Sequence, residues 1–400
     1  MPSEPEPTSK NPGSMSHSNI CPESLSVVQL LPALNVGGVE RGTLEVAKEL
    51  VKRGHRSIVI SAGGRLVDEL IGSGSEHIQL NIGRKSPLSL RHIPFLRRLF
   101  RQENIDIIHA RSRLPAWLAY LAWEKMDKTC RPRFITTVHG PYNVNRYSKI
   151  MTKGEDVVAI SRFILKYITD NYPDVDHNKI TLIHRGVSNT EFPFAYRPDE
   201  KWIKTWNEQH PAILNKFVLT MPARVTRWKG HEDFLNILSR LKQLNIPVHG
   251  LIAGGAHKRK ATYLEELKDK IRLLGLDNEI TFLGHRNDIK EIMSISDVVL
   301  SLAKEPEAFG RTALEALCLG VPVFAYNHGG AAEVLAEMYP HGCVEPNDTA
   351  AVCDKVISFH KQPVPVPDNN FFTLEKMLNG ILSLYCEGTS SQRPLPVVRP

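Results

Sequence analysis

Short apolar runs of strand length alternate with helical patterns along most of the 400-residue chain, and this alternation occurs in two series. The first series of strand-like runs covers 26–34, 57–61, 77–82, 106–110, 133–139, 156–161 and 179–187. The second covers 217–225, 248–255, 280–284, 297–303 and 321–326. Strands that alternate with helices form parallel sheets covered on both faces. The sequence therefore predicts an α/β fold of two doubly wound, Rossmann-like domains that face each other across a cleft.

The segment 188–215 contains several prolines and little strand signal, so it is expected to link the two series. This division predicts an N-terminal domain, a C-terminal domain and a final amphipathic helix, at 26–190, 191–370 and 371–388. The stretch 1–25 has no apolar core of a signal peptide and is expected to be a disordered tail. The Pro-rich 389–400 is expected to be a second tail.

The net charge of +7 and the pI near 9.0 favour an anionic partner such as a nucleic acid, a membrane surface or an anionic substrate. No nucleic-acid-binding motif accompanies the charge, so we expect no nucleic-acid partner. No apolar run reaches the roughly eighteen residues that a membrane-spanning helix needs. The six cysteines form no CxxC pair or metal-ligand spacing, which predicts no metal site and a reducing, cytoplasmic location.

The stretch EPEAFGRTALEALCLGVPVF, residues 305–324, carries the strongest candidate site. Apolar residues at helical spacing predict a helix from about 311 to 319, ended by Gly320 and Pro322. The residues before it, 308–310, offer no side chain that could cap the first amides, and free amides at a helix N-terminus suit a phosphate. Glu307 and Glu315 would then lie on either side of a bound diphosphate.

The whole ordered string resembles the signature of retaining glycosyltransferase family 4. It comprises Glu307 and Glu315 eight apart, Phe309-Gly310 between them, GVPV after them, and then HGGAAEVL at 328–335. The resemblance covers about 26–388 and implies the GT-B fold, with the helix at 371–388 crossing back to the first domain. It implies transfer of a sugar, expected to come from a UDP-sugar, to an acceptor hydroxyl with retention of configuration.

The resemblance also implies roles for individual residues around the donor. The string PARVTRWKG is similar to the family's GR-x4-KG element, with Ala223 where glycine is more usual, and it assigns Arg224 and Lys229 to the leaving diphosphate. Glu307 would hold the donor sugar and Glu315 the ribose, without a metal or a cofactor. The remaining donor contacts that the resemblance implies are Gly37, Gly38, Leu283, Phe309, Gly310 and Arg311.

Two motifs of the N-terminal half allow both a structural and a functional interpretation. Gly37 and Gly38 follow a strand without the full GxGxxG spacing, so they fit a tight turn as well as a ligand-binding loop, although they resemble the family's glycine loop. His139 follows another strand. A lone histidine is usually structural, but this one resembles the catalytic histidine that the family places between donor sugar and acceptor.

Three residues are acceptor candidates: Arg111, Arg113 and Tyr142. The two arginines stand at the end of a strand, where they are either solvated or contact an acceptor's phosphate or carboxylate. The strings around these residues look similar to bacterial cell-envelope glycosyltransferases, including lipopolysaccharide-core enzymes. They therefore indicate a glycan or a lipid-linked acceptor.

The segment 84–102 is basic and apolar at once. It predicts either a peripheral contact with an anionic membrane, on the inner face of the cytoplasmic membrane, or a core-covering helix with a solvated basic face.

Two other functions share the predicted fold. One is a nucleotide-sugar epimerase, and the other is a non-catalytic nucleotide-sugar-binding protein. The epimerase lacks the context of Glu307 and Glu315, and the retained charged residues argue against the binding protein.

Overall fold

The computed structural model describes residues 24–35, 37–255 and 261–387. Most of the expected N-terminal tail, all of 389–400 and Val36 of the glycine loop lie outside them. Two sheets are present, and every pair of neighbouring strands in them is parallel. The predicted α/β class with two doubly wound domains is therefore confirmed.

The first sheet has the strand order β3-β2-β1-β4-β5-β6-β7 and defines the N-terminal domain. Its strands are β1 Ser26–Leu30, β2 Arg56–Ser61, β3 Glu76–Gln79, β4 Ile107–Ala110, β5 Arg133–Val138, β6 Asp156–Ala159 and β7 Ile180–Leu182. Its helices are α1 Gly38–Lys52, α2 Val67–Gly72, α3 His92–Gln102, α4 Arg113–Trp123 and α5 Arg162–Asn171. All four residues of β4 are buried, as its unbroken apolar pattern predicts for a central parallel strand.

The second sheet has the strand order β10-β9-β8-β11-β12-β13 and defines the C-terminal domain. Its strands are β8 Phe217–Met221, β9 Val248–Ala253, β10 Ile280–Gly284, β11 Val298–Ser301, β12 Val323–Tyr326 and β13 Cys343–Val344. The helices from the link onward are α6 Glu200–Gln209, α7 His231–Gln243, α8 Ala261–Leu273, α9 Ile289–Ser294, α10 Arg311–Cys318, α11 Gly329–Met338, α12 Thr349–Lys361 and α13 Leu374–Cys386.

Helix α6 lies in the segment for which the sequence predicts a plain linker. Asp199 caps it by accepting a hydrogen bond from the backbone N–H of Trp202 at 2.8 Å. Trp202 and Trp206 stack at 5.0 Å, and Trp206 is buried against the second sheet. The prolines on both sides of α6 led to the prediction of a linker, whereas the two tryptophans stabilise a helix there.

Helix α13 returns from the C-terminal domain and packs on α1 and the first sheet, which confirms the predicted crossover. Ile381, Leu382 and Tyr385 are buried there. The Tyr385 hydroxyl lies 2.6 Å from Nδ1 of His109 on β4, so α13 also satisfies a buried polar group of the sheet.

The structure also gives the state of five cysteines and the hydropathy of the helices. Cys130, Cys318, Cys343 and Cys353 are free, whereas Cys386 is disulfide-bonded, which the expected reducing compartment does not predict. Among the helices that the structure describes, none has the length and hydropathy needed to cross a membrane.

We predict that Leu382→Ala lowers the free energy of unfolding by about 2–5 kcal/mol, because it leaves a cavity between α13 and the first sheet. Ser383→Ala, on the exposed face of the same helix, is the matched control and should change stability little. Urea-induced unfolding of the two variants measures the difference. Equal stabilities would mean that α13 does not contribute to the core.

Candidate active site

The strand order of the second sheet reverses between β8 and β11. These two strands are neighbours although β9 and β10 lie between them in the chain. Ligands of open α/β sheets bind outside the carboxyl ends of the strands at such a point. The loop after β8 carries Lys229 and the loop after β11 carries Glu307, and both residues line one narrow crevice. The structure therefore brings these two predicted donor residues together.

Helix α10 begins at this crevice without a side-chain cap, as its sequence predicts. Gly310 precedes it at φ 78°, and a Cβ there would lie 2.6 Å from Cα of Ala331. Only glycine fits this position without displacing α11. The first amides of α10 are thus left without a side-chain acceptor, which is the arrangement that suits an anion.

Lys229 and Glu307 form a short ion pair, with Nζ 2.5 Å from Oε1 and both side chains less than a fifth exposed. The ammonium also lies 4.4 Å from the ring centre of Trp228. Arg224 is exposed. Burial raises the pKa of Glu40 on α1, and the positive charge of Arg224 lowers that pKa in part. The two predicted diphosphate-binding cations therefore have different surroundings, one paired and one solvated.

A charged cluster joins the two domains beside α10. Arg311 donates from Nε to Glu315 at 2.8 Å and from both terminal nitrogens to Glu45 of α1 at 3.1 Å. A second arginine, Arg185, lies 4.0 Å from the other Glu45 oxygen and donates to the carbonyl of Gly38. Glu45 therefore lies between one arginine from each domain.

Burial sets the protonation behaviour of this cluster. It raises the pKa of Glu315, while Arg311 acts in the opposite direction. It also lowers the pKa of Arg185 to about 9, which still leaves the guanidinium charged at neutral pH. Glu315, the predicted ribose ligand, is thus a desolvated carboxyl whose pKa lies above its ordinary value, although its ion pair with Arg311 lowers that pKa in part.

Glu45 and Arg185 are not among the site residues that the sequence predicts. One signal was available in α1, where Gly42 interrupts a helical pattern. A Cβ at residue 42 would lie 1.9 Å from a terminal nitrogen of Arg185, so the glycine makes room for the arginine.

Glu333 of α11 forms a second link between the domains, and its role was also missed. Its carboxylate accepts hydrogen bonds from the backbone N–H groups of Arg162 and Phe163, at 2.9 and 2.5 Å, and so caps α5 of the other domain. His184 lies 3.3 Å from the same carboxylate. Although burial acts to raise it, these contacts hold the pKa of Glu333 below its ordinary value. Glu333, the glutamate of the GG-x-x-E string, thus links α11 to the N-terminus of α5 by hydrogen bonds.

His139 follows β5, and its Nε2 is buried with no hydrogen-bond partner among the residues that the structure describes. Burial, with Arg111 and Arg185 nearby, lowers its pKa well below 6.5. The imidazole is therefore neutral at physiological pH. Its backbone N–H donates to the Tyr142 hydroxyl at 3.3 Å.

The three acceptor candidates are placed differently. Arg111 is only 2% exposed and bonds to Gln29, so it is neither solvated nor within an acceptor's reach in this conformation. Its guanidinium contacts Gln29 of the neighbouring strand β1, a side chain that is itself fully buried. Arg113 lies 4.6 Å from the ring centre of Tyr142 and donates to Ser148 at 3.1 Å. Arg113 and Tyr142 thus form one partly exposed pair.

The remaining predicted donor contacts lie on both sides of the cleft. Leu283 is the extra residue where the β9–β10 pairing shifts register, and its side chain packs against the buried cluster that contains Trp206. Phe309 is 4% exposed and meets Phe372 edge to face. Gly37 precedes α1 without a side-chain cap, and a Cβ there would overlap the Glu40 carboxylate. Whether these residues contact a donor stays a prediction.

We predict that Glu45 and Arg311 show a coupling free energy of about 1–3 kcal/mol in a double-mutant cycle of Glu45→Gln and Arg311→Gln. The reason is that either single change leaves the other charge poorly paired between the domains. The control is the same cycle for the exposed pair Glu265–Lys268, where about 0.5 kcal/mol or less is expected. Chemical unfolding gives both values. Coupling no larger than that of the control would show that the cluster does not hold the domains together.

Two family descriptions match the chain, one on each domain. Residues 36–191 match "Glycosyltransferase Family 4", and residues 203–370 match "Glycosyl transferases group 1". Among curated relatives, N-acetyl-alpha-D-glucosaminyl L-malate synthase of Bacillus anthracis is 24% identical over 343 residues, 82% of this chain and 85% of its own. A glycosyltransferase of Methanocaldococcus jannaschii is 24% identical over 363 residues, 82% of this chain and 87% of its own.

Solved structures agree with these matches. A glycosyltransferase from Rickettsia africae is 34% identical with a TM-score of 0.79, covering 90% of this chain and 98% of that one. Anabaena HepE, solved with UDP and glucose, is 20% identical with a TM-score of 0.76, covering 91% of this chain and 100% of that one. The matched domains and the Rickettsia relative identify this chain as a glycosyltransferase of the GT-B fold, with a family 4 domain followed by a group 1 domain.

Proposed function

We propose that the protein transfers a sugar from a nucleoside-diphosphate sugar, most suitably a UDP-sugar, to a hydroxyl of a glycan or lipid-linked acceptor with retention of configuration. The observation that carries this proposal is the uncapped start of α10 at the switch point of the second sheet. It lies between a cation, Lys229, and a buried carboxylate, Glu315. UDP as the nucleotide is supported by Anabaena HepE, whose structures hold UDP and UDP-glucose.

Each charged group has its own role in the proposed reaction. Lys229, Arg224 and the first amides of α10 stabilise the charge that develops on the leaving diphosphate, in place of a metal. Glu307 accepts hydrogen bonds from the donor sugar, and Glu315 from the ribose. We assign no protein nucleophile, and no cofactor beyond the donor itself.

His139 fits a place beside the reacting sugar. Its neutral ring keeps an Nε2 that no described residue bonds, and this atom can accept or donate one hydrogen bond, depending on the tautomer. Arg113 and Tyr142 then lie at the acceptor side, where a phosphate or carboxylate of the acceptor would meet the guanidinium.

We predict that Lys229→Ala and Arg224→Ala each lower turnover by about a hundredfold or more, because both charges act on the leaving diphosphate. The matched control is Arg272→Ala, which removes an exposed arginine from α8 and should leave turnover unchanged. Release of UDP over a panel of UDP-sugars, with and without acceptor, measures the effect, and thermal unfolding checks the fold.

Three outcomes would contradict parts of this proposal. Loss of turnover on adding chelator, restored by a divalent cation, would overturn the metal-free mechanism. Conversion of the sugar without release of UDP would indicate an epimerase. Binding of UDP-sugars with no turnover under any acceptor would indicate a non-catalytic binding protein.

The segment 84–102 supports a membrane-associated acceptor. Leu96 and Phe100 of α3 are buried, so the core-covering interpretation holds for one face. The other side exposes Leu88, Leu90 and Phe95 at 68%, 54% and 43%. Exposed basic residues lie in the same segment: Arg84, Lys85, Arg91, Arg98 and Arg101. We propose that this surface contacts an anionic membrane, as on the inner face of the cytoplasmic membrane, and that the acceptor is a lipid-linked glycan such as lipopolysaccharide core.

We predict that the protein co-sediments with vesicles containing anionic lipid, and that raised salt releases it. Arg97, Arg98 and Arg101 changed together to Gln should weaken this binding, at about 1 kcal/mol for each lost charge. Leu88→Ser with Leu90→Ser should weaken it as well, whereas the control Leu273→Ser, 86% exposed on the other domain, should not. Equal absence from pellets of anionic and neutral vesicles would end the membrane proposal.

A further inference from the structure

A cavity of about 590 Å³ lies at the carboxyl edge of the second sheet, and none of the donor-binding roles above uses it. It is formed by the loops after β8 and β11 and by the start of α8. The lining residues that matter here are Arg227, Trp228, Tyr263, Glu266, Lys304 and Glu305. Its volume is within the range of small-ligand sites, which runs to about 1,000 Å³.

Two aromatic side chains line the cavity, and the Arg227 guanidinium lies 4.7 Å from the ring centre of one of them, Tyr263. Trp228 is partly exposed, and Tyr263 is 4% exposed. The Tyr263 hydroxyl is buried and has no hydrogen-bond partner within the described part of the chain. Burial raises the pKa of Tyr263 to about 12, so the hydroxyl keeps its proton and can donate. A buried, unpaired hydroxyl at a cavity wall costs free energy unless a ligand satisfies it.

The charges on the walls are balanced, and the two cations already have partners. Arg227 lies 2.5 Å from Glu266, and Lys304 lies 2.5 Å from Asp233 of α7. Glu305 adds a further exposed carboxylate. A phosphate or another anion would meet two carboxylates in this cavity, so an anionic ligand is disfavoured.

A neutral saccharide matches all of these features. Its C–H faces pack on the partly exposed Trp228 ring, while its hydroxyls donate to carboxylates and accept from arginine, lysine and tyrosine. The cavity also shares a wall with the donor residues. The Trp228 ring lies 4.4 Å from the Lys229 ammonium, which pairs with Glu307 at 2.5 Å.

We infer that this cavity is a subsite for a neutral sugar unit of the acceptor glycan, remote from the hydroxyl that reacts. This inference rests on the proposed function, because it assumes that the acceptor carries sugars already joined to it. The C-terminal domain then takes part in acceptor recognition as well as in donor binding.

Saturation-transfer NMR with lactose, cellobiose and maltose tests the subsite, with titrations of the best of the three. Tyr263→Phe removes only the unpaired hydroxyl and should weaken binding of that disaccharide about fivefold. Trp228→Ala should weaken it about tenfold or more. The control Phe371→Ala removes an exposed aromatic ring far along the chain and should have no effect. UDP affinity should be retained in Tyr263→Phe, and thermal unfolding confirms that each variant folds.

Each outcome decides between the alternatives. No saccharide contact in the wild type, equal affinity in wild type and Tyr263→Phe, or displacement of the disaccharide by inorganic phosphate would each overturn the subsite. Failure of the proposed function gives a different result. UDP-sugars would then not bind or turn over, whether or not the disaccharide binds in the cavity.

Discussion

The ion pairs of Arg311 join the two domains beside the start of α10. Arg311 bonds Glu315 within its own helix and Glu45 on α1 of the other domain, with all three side chains less than a fifth exposed. Such a triad is costly to desolvate, so its value lies in geometry more than in stability. It fixes where the start of α10 lies relative to the first sheet. The distance from the donor residues to His139 follows from that position.

The start of α10 shows how backbone geometry creates a binding site. Gly310 adopts a left-handed conformation against α11, where no side chain fits, and no capping group precedes the helix. The glycine at position 310 therefore allows the close approach of α10 and α11 and also leaves the first amides of α10 without a side-chain cap. A serine or aspartate cap would clash with α11 at this position, and its side chain would also occupy the amides that an anion needs.

The features that the sequence predicted are those with a local pattern. Strand runs, the uncapped helix and the amphipathic helix at 371–388 all follow from residues close to one another in the chain, whereas the crossover of that last helix was implied by the family resemblance. The features that it missed are long-range pairs. Glu45 meets a residue 266 positions away, and Glu333 caps a helix some 170 positions away, and nothing near either glutamate specifies its partner. Arg111 shows the converse, because the local pattern predicts its position after a strand, whereas its burial depends on neighbouring strands.

The pairing of Lys229 with Glu307 suggests how the site would respond to a donor. The two charges satisfy each other at 2.5 Å in a largely buried crevice, and either one alone would be costly there. A diphosphate competes with Glu307 for the ammonium, and sugar hydroxyls compete with Lys229 for the carboxylate. Neither exchange is favourable by itself, since each leaves one charge without its partner. A ligand that supplies both groups makes the exchange balanced, so in the proposed reaction this pair favours an intact nucleotide sugar over a free sugar or a free phosphate.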